Sequence, residues 1–368
     1  LVAAEASGDL HAARLVRALR ELGPCRIRGV AGPALRDAGV ECLVPAEDLA
    51  VLGFSEILTR LPRLLAARRL LLRELTDFRP HAVVLVDYPG FNLRLGPQLK
   101  ARGARVFYYI APQVWAWHPE RAGAMAHWVD RLAVVFPFEE PIFAAAGVDV
   151  RYVGHPLLDA FEPEVDAATF RGELAIGPEQ RVLGLLPGSR PQELRRHLAP
   201  MVAAARRLAA GRADLCVVIP LAAGLPTPSL PGGAESRRVR VLHGRTRAVQ
   251  AFATACAVAS GTATLETALF GTPLAIVYRT GRLNYAIARR LVTLPRIGLP
   301  NIVAGEGVCP ELVQGDFTAE RLAAALAPWL DDARERAAAS ERLAVVRHRL
   351  GGPGASRRAA EWLWALAR

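Results

Sequence analysis

The chain has 368 residues, 52% of them hydrophobic, which is enough to bury more than one core, and its 46 Lys+Arg against 35 Asp+Glu leave a formal charge of +11. All of that excess lies in residues 165–368, with 27 basic and 16 acidic side chains against 19 of each in residues 1–164; cations scattered without a recognition motif disfavour nucleic acid and suit the phosphates of a nucleotide or lipid. Cys25, Cys42, Cys216, Cys256 and Cys309, an odd set without a close pair, argue against a disulfide framework or a zinc site and fit a reducing cytoplasm.

Leu1–Ala4 reads as the end of a buried strand, and its start without Met implies a few missing strand residues; Glu5 and Asp9 interrupt any signal peptide. The turn EASGD follows, then an amphipathic run Leu10–Leu22 ending at Gly23–Pro24. Glu5, Ser7 and Asp9 crowd that turn with acceptors suited to sugar hydroxyls, although Ser7 or Asp9 as a plain helix cap has the same pattern. Short strands are expected at Arg26–Ala31 and Val40–Val44. Beyond them comes a Leu/Arg helix in which Leu58, Leu61, Leu65, Leu72 and Leu75 form a stripe. An apolar face beside an Arg-rich one suits a membrane interface as well as a core-packed surface helix, and Val51, Leu52 and Phe54 just before it favour the membrane.

His81–Val86 is a continuous apolar strand ending in Asp87, with Tyr88–Gly90 turning into the helix Phe91–Arg102. Ligands of open parallel sheets bind beyond the carboxyl ends of strands, so Asp87 is the leading candidate for a catalytic base, with capping of the Pro-Gly turn as its alternative role. A strand at Ala104–Ile110 leads into APQVWAWH, whose Trp115, Trp117 and His118 either line a site or join the core. Strands Arg131–Phe136 and Val150–Val153 bring the total to about six, a doubly wound α/β domain. His155 follows the last of them and either reaches the cleft or serves as a satisfied structural residue, the second reading being favoured.

A second domain opens with Val182–Leu186 and the turn PGSR. Gly188 permits close approach, Ser189 can cap, and Arg190 sets a forked cation at a helix start, against the dipole, which an anion would justify. Neither a Walker loop nor a GxGxxG motif is present. Strands at Leu215–Pro220 and Val239–Leu242 flank a Pro/Gly-rich loop, 224–233. The run 248–265 is uncharged but too rich in Ala, Thr, Ser and Gly for a membrane span. Within Val258–Tyr278, Ser260, Gly261 and Thr262 open a helix that could receive phosphate on its free amides, and Glu266 one turn later suits ribose hydroxyls; a capped helix with a solvated Glu explains the stretch equally well. A helix near 283–294, the turn LPNIVAG with Asn301, polar Glu311 and Gln314, and Ala-rich helices with Trp362 and Trp364 close the chain.

The ordered set AEASGD, LVDYPGFN, APQVWAW, FPFE, VGHP, LLPGSR, SGTATLE and LPNIVAG strongly resembles the lipid-A-disaccharide synthase family over nearly the whole chain. That resemblance implies a GT-B fold, two Rossmann-like domains facing a cleft: residues 1–163, rejoined by C-terminal helices 350–368, on the acceptor and membrane side, and residues 164–349 binding the UDP-sugar. It implies transfer of 2,3-diacylglucosamine from its UDP derivative to the 6-hydroxyl of 2,3-diacylglucosamine 1-phosphate (lipid X), with inversion, in lipid A biosynthesis, without metal or cofactor, at the cytoplasmic face of the inner membrane. By matching motifs, Asp87 is the base, Arg190 with Gly188, Ser189 and Ser260–Thr262 holds the diphosphate, Glu266 meets ribose, Asn301 belongs to the donor site, and Glu5, Ser7 and Asp9 to the acceptor site. Ala4 departs from the family's Gly, which would alter the loop if that position needs a positive φ. Another GT-B enzyme using a UDP-sugar, a lipid-linked N-acetylglucosaminyltransferase or a non-hydrolysing epimerase, is the alternative.

Overall fold

The computed structural model describes residues 1–49, 54–221, 226–228, 239–281, 285 and 295–368. It divides into two compact units, residues 1–160 with 350–368, and residues 161–349.

In the first unit the chain runs through α1 (Ala6–Leu22), β1 (Arg28–Ala31), α2 (Pro33–Asp37), β2 (Glu41–Pro45), α3 (Ala46–Leu49), α4 (Phe54–Asp77), β3 (Val83–Val86), α5 (Pro89–Lys100), β4 (Val106–Tyr109), α6 (Glu120–Met125), β5 (Arg131–Val134), α7 (Glu139–Ala145) and β6 (Val150–Tyr152). Strands β3 to β6 pair in order and all parallel. Val2 bridges both Val30 and Leu85, so the first residues form a short parallel strand between β1 and β3. Parallel strands covered on both faces need side chains that are apolar throughout, and VVLV in β3 and VFYY in β4 are buried at every position. Gly96 on α5 is a close-approach glycine, because a Cβ there would fall 2.1 Å from the ring of Trp128.

Helix α4 splits the expected Leu stripe. Of its members, Leu72 and Leu75 pack against the core, along with Leu64 and buried Leu71 from outside the stripe, whereas Leu61 stands exposed and the side chain of Leu58 lies outside the described residues. The far end of the helix is therefore an ordinary core-facing surface helix. Val51 and Leu52 lie outside the described residues, as does the side chain of Phe54.

The second unit contains α8 (Ala167–Leu174), β7 (Arg181–Leu186), α9 (Pro191–Ala209), β8 (Leu215–Leu221), β9 (Val239–His243), α10 (Thr246–Phe252), β10 (Ala255–Ala259), α11 (Thr262–Leu269), β11 (Leu274–Tyr278), α12 (Leu299–Ala304), β12 (Glu311–Val313), α13 (Ala319–Asp331) and α14 (Ala333–Leu350). Its parallel sheet has the order β12-β11-β10-β7-β8-β9, with the order of strand addition reversing between β7 and β10, which marks a doubly wound fold. The expected helix at 283–294 and most of the loop 224–233 lie outside the described residues.

The last helix, α15 (Ala355–Ala367), belongs to the first unit. Asp159 accepts from the amides of Gly354, Ala355 and Ser356 at 2.7–2.9 Å and so caps its start. Trp362 then meets Phe107 edge-on and lies under the guanidinium of Arg151. Removing three charge-assisted hydrogen bonds at once, Asp159→Ala is expected to cost about 2 kcal/mol, seen as an earlier midpoint in urea unfolding.

Candidate active site

The first-unit site grows from two neighbouring strand ends. Because Val2 pairs with Leu85, the chain leaves the sheet at Glu5 and at Asp87 side by side. Asp87 takes a left-handed conformation, φ 46°, as does Tyr88 at 47°. The amide of Asp87 donates to the Tyr109 carbonyl at 3.0 Å, and its own carbonyl accepts from the Tyr108 hydroxyl at 2.7 Å and the Asn92 amide at 2.8 Å. Burial pushes the Asp87 carboxyl up to about 7, the negative charge of Glu5 adds to this, and the Tyr88 amide partly opposes it. A carboxylate that changes charge near neutrality at a strand end suits proton abstraction.

The remainder of the N-terminal stretch differs from expectation. Glu5 is the N-cap residue of α1, so EASGD is mostly the first turn of the helix and not a loop. Ser7 is exposed on that turn. Asp9 is buried and faces the neighbouring helix, where it accepts from Gly32, Ala34 and Leu35 at 2.8, 2.8 and 3.3 Å. It caps α2, which corrects both its expected place in a sugar-binding turn and the alternative of capping its own helix. Ala4 is buried without a positive φ, so the missing Gly imposes no strain.

Further groups occupy the same unit, and one of them, Glu139, was not named as a site candidate from the sequence. Glu139, from FPFE, is fully buried; it accepts from the Trp115 indole at 2.9 Å and from the amides of Phe136 and Val135. Burial raises its carboxyl to about 7 against those hydrogen bonds, with a smaller push from Asp87. His155 is buried between His11 and Phe136, its Nδ1 accepting from the Leu157 amide, and burial lowers it to about 3. A neutral ring that caps a 3-10 turn is structural. Trp117, in contrast, is 41% exposed.

In the second unit, register pairs Val258 with Leu186, so the turns PGSR and SGTAT leave adjacent strand ends. Gly188 has φ 115°, and a Cβ there would strike the Glu193 carboxylate. Glu193 accepts from the amides of Ser189 and Arg190 at 3.0 and 3.2 Å, so those two donors, expected for phosphate, are taken in this structure. The Arg190 side chain itself remains 61% exposed, 3.8 Å from Glu193. Helix α11 opens at Gly261 with no side-chain cap; the Ser260 hydroxyl donates instead to the Ile297 carbonyl. Thr262, its first residue, is exposed.

Glu266 is half-buried beside Arg247, 3.6 Å away, and Gln250. Burial raises its carboxyl while the Arg247 charge opposes the shift. Arg247, on α10, was not singled out in the sequence and is an ion-pair partner of Glu266 on α11. Asn301 is buried with its amide fully engaged: its oxygen accepts from Val308 and Cys309, and its nitrogen donates to the Cys309 carbonyl and to Glu311. Glu311 in turn accepts from Ile297 and Gly298 at the start of α12. The Asn of LPN thus holds its own turn, with both its amide oxygen and nitrogen engaged there. No cluster of three or more metal-ligating side chains occurs among the described residues.

The sequence profile of the Lipid-A-disaccharide synthetase family matches residues 1–360. A lipid-A-disaccharide synthase of Anaeromyxobacter sp. (strain K) is 44% identical over 372 aligned residues, covering 100% of the chain and 97% of that protein. The one from Syntrophus aciditrophicus (strain SB) is 43% identical, covering 98% and 95%. Among solved structures, a spinosyn forosaminyltransferase superposes with a TM-score of 0.65 at 17% identity, covering 97% of this chain and 95% of that one. The UDP-GlcNAc 2-epimerase from Neisseria meningitidis, solved with UDP-GlcNAc, gives 0.63 at 12%, covering 97% of each. These two similarities establish a shared GT-B architecture and nothing about substrate.

Proposed function

The chain belongs to the lipid-A-disaccharide synthetase family, and from that membership we propose that it joins two acylated glucosamines, moving 2,3-diacylglucosamine from its UDP derivative onto the 6-hydroxyl of 2,3-diacylglucosamine 1-phosphate. The family match over residues 1–360 supports the reaction. The environment of Asp87, a carboxyl raised to about 7 at a strand end, is the observation that supports its place in the chemistry.

In this reading an Asp87 oxygen takes the proton of the acceptor 6-hydroxyl as that oxygen forms its bond to the anomeric carbon from the face opposite UDP. The bond from the anomeric carbon to the diphosphate oxygen breaks, its electron pair stays on UDP, and the product is a β(1→6) disaccharide 1-phosphate. Arg190 and the uncapped start of α11 at Gly261–Thr262 offset the leaving charge, so the chain's own donors serve where a metal otherwise would. Glu266, oriented by Arg247, accepts from the ribose hydroxyls, and Glu5 and Ser7 receive the acceptor sugar.

No helix among the described residues is long and apolar enough to cross a membrane. The acylated substrates call for peripheral attachment at the cytoplasmic face of the inner membrane, and exposed Leu61 beside Arg63 on α4 is the described part of a surface suited to it.

The reading is tested by incubating the full chain with both lipid substrates and EDTA, and following UDP and lipid mass. One disaccharide 1-phosphate per UDP is expected. Release of UDP without disaccharide, or turnover only with an unacylated UDP-sugar, would replace this acceptor or point to an epimerase-like enzyme on the same fold.

A further inference from the structure

Asp87 and Tyr88 form an uncommon pair, two consecutive residues with side chains in the left-handed region, at φ 46° and 47°. L-residues enter that region at a steric cost and stay there only when their surroundings over-determine the conformation. Here the over-determination is visible. Asn92, 0% exposed in the first turn of α5, donates from one amide nitrogen to the carbonyls of Val86 at 3.3 Å and Asp87 at 2.8 Å, which fixes successive peptide planes. Tyr108, fully buried on the adjacent strand β4, donates its hydroxyl to the same Asp87 carbonyl and lies beside the Asn92 side chain. Tyr88 is tied separately, through its hydroxyl to the Leu49 carbonyl at 2.6 Å. A helix start needs none of this, since Pro89 at its first position already supplies a suitable φ.

We propose that Asn92 and Tyr108 are positioning residues for the transfer reaction: together they grip the Asp87 carbonyl, hold its left-handed backbone and so aim the carboxyl at the acceptor hydroxyl. The proposal rests on the reading of Asp87 as the base. Two donors from two elements on one carbonyl leave the peptide a single orientation, and this fixes the direction of the Cα–Cβ bond that carries the carboxyl. The clamp also keeps the carboxyl partly withdrawn from water. Other titratable groups coupled to Asp87 are Glu5 from the start of α1 and Glu139 from α7. Tyr108 is pushed well above its ordinary range by burial and by the charges of Asp87 and Glu5, so it stays a neutral donor at any working pH.

The test is the pH dependence of kcat and kcat/KM for Tyr108→Phe and Asn92→Ala, alone and combined, each repeated in an Asp87→Asn background, with thermal unfolding alongside. Tyr108→Phe is expected to lower kcat about 10-fold and Asn92→Ala about 100-fold, with KM for the UDP-sugar unchanged. In both, the acid limb of kcat/KM should move down from near 7 toward the ordinary Asp range, because a loosened carboxyl regains water. Neither change should reduce the residual rate of Asp87→Asn further. Should Asn92→Ala not fold, Tyr108→Phe, which keeps the ring, decides alone. Wild-type kcat and acid limb in folded Tyr108→Phe, or the same fold-loss in the Asp87→Asn background, overturns the clamp and leaves the base reading standing. Near-normal turnover of Asp87→Asn itself overturns the base reading, and the clamp with it.

Discussion

Asp87→Asn is expected to lower kcat about 1,000-fold, within the range of roughly 10²–10⁴ that a positioned general base supplies, while UDP binding is unchanged. Asn fills the same volume and keeps the backbone contacts to Tyr109, Asn92 and Tyr108, so the loss falls on proton transfer alone. In the wild type, kcat/KM should fall about tenfold per pH unit below about 7, where the carboxyl carries its proton. Stability should move in the opposite sense. The folded carboxyl sits at about 7 against an ordinary 3.8, so its contribution is fully present below about pH 4 and is lost as pH rises through 7. Asp87→Asn should therefore unfold later than the wild type at pH 8 and together with it near pH 4, the gap being at most about 4 kcal/mol and smaller because Asp87 keeps partial exposure. Urea unfolding at both pH values, with single-turnover kinetics, measures the two effects; wild-type turnover in the folded variant would remove Asp87 from the base role.

Arg190→Met should carry the second-largest effect, a fall of about 10²–10³ in kcat/KM for the UDP-sugar. The guanidinium is mostly exposed and lies 3.8 Å from Glu193, a weak surface pair, so the fold is not expected to depend on it. Arg190→Lys is expected to recover only part of the loss, since an ammonium lacks the fork that grips two phosphate oxygens. Steady-state kinetics and UDP titration follow both. Unchanged UDP affinity and unchanged kcat/KM in Arg190→Met would exclude it from the donor site. Glu193 sharpens this experiment: its carboxylate already satisfies the amides of Ser189 and Arg190, which leaves the side chain of Arg190 as the part of that turn open to an anion.

How the sequence and the fold divide the explanation follows from the range over which each interaction acts. Continuous apolar runs at 83–86, 106–109 and 255–259 announce buried parallel strands because the pattern is local, and the residue after such a strand is at a ligand edge by topology alone. The doubly wound architecture of both units was legible for that reason, and Asp87, Arg190, Gly261 and Glu266 became candidates on the same ground. The partners of the remaining polar residues were not. Asp9 serves amides 23 to 26 residues away, Asp159 caps a helix about 195 residues on, and Asn301 closes on Glu311 within its own turn. A carboxylate or amide in a motif shows only what it can accept or donate; which backbone groups lie within 3 Å of it is set by the packing of elements distant in the chain. The same holds for the acidity of Asp87 and Glu139. Composition identifies the carboxyls, and only the tertiary structure, by removing water and bringing one charge near another, raises them to about 7.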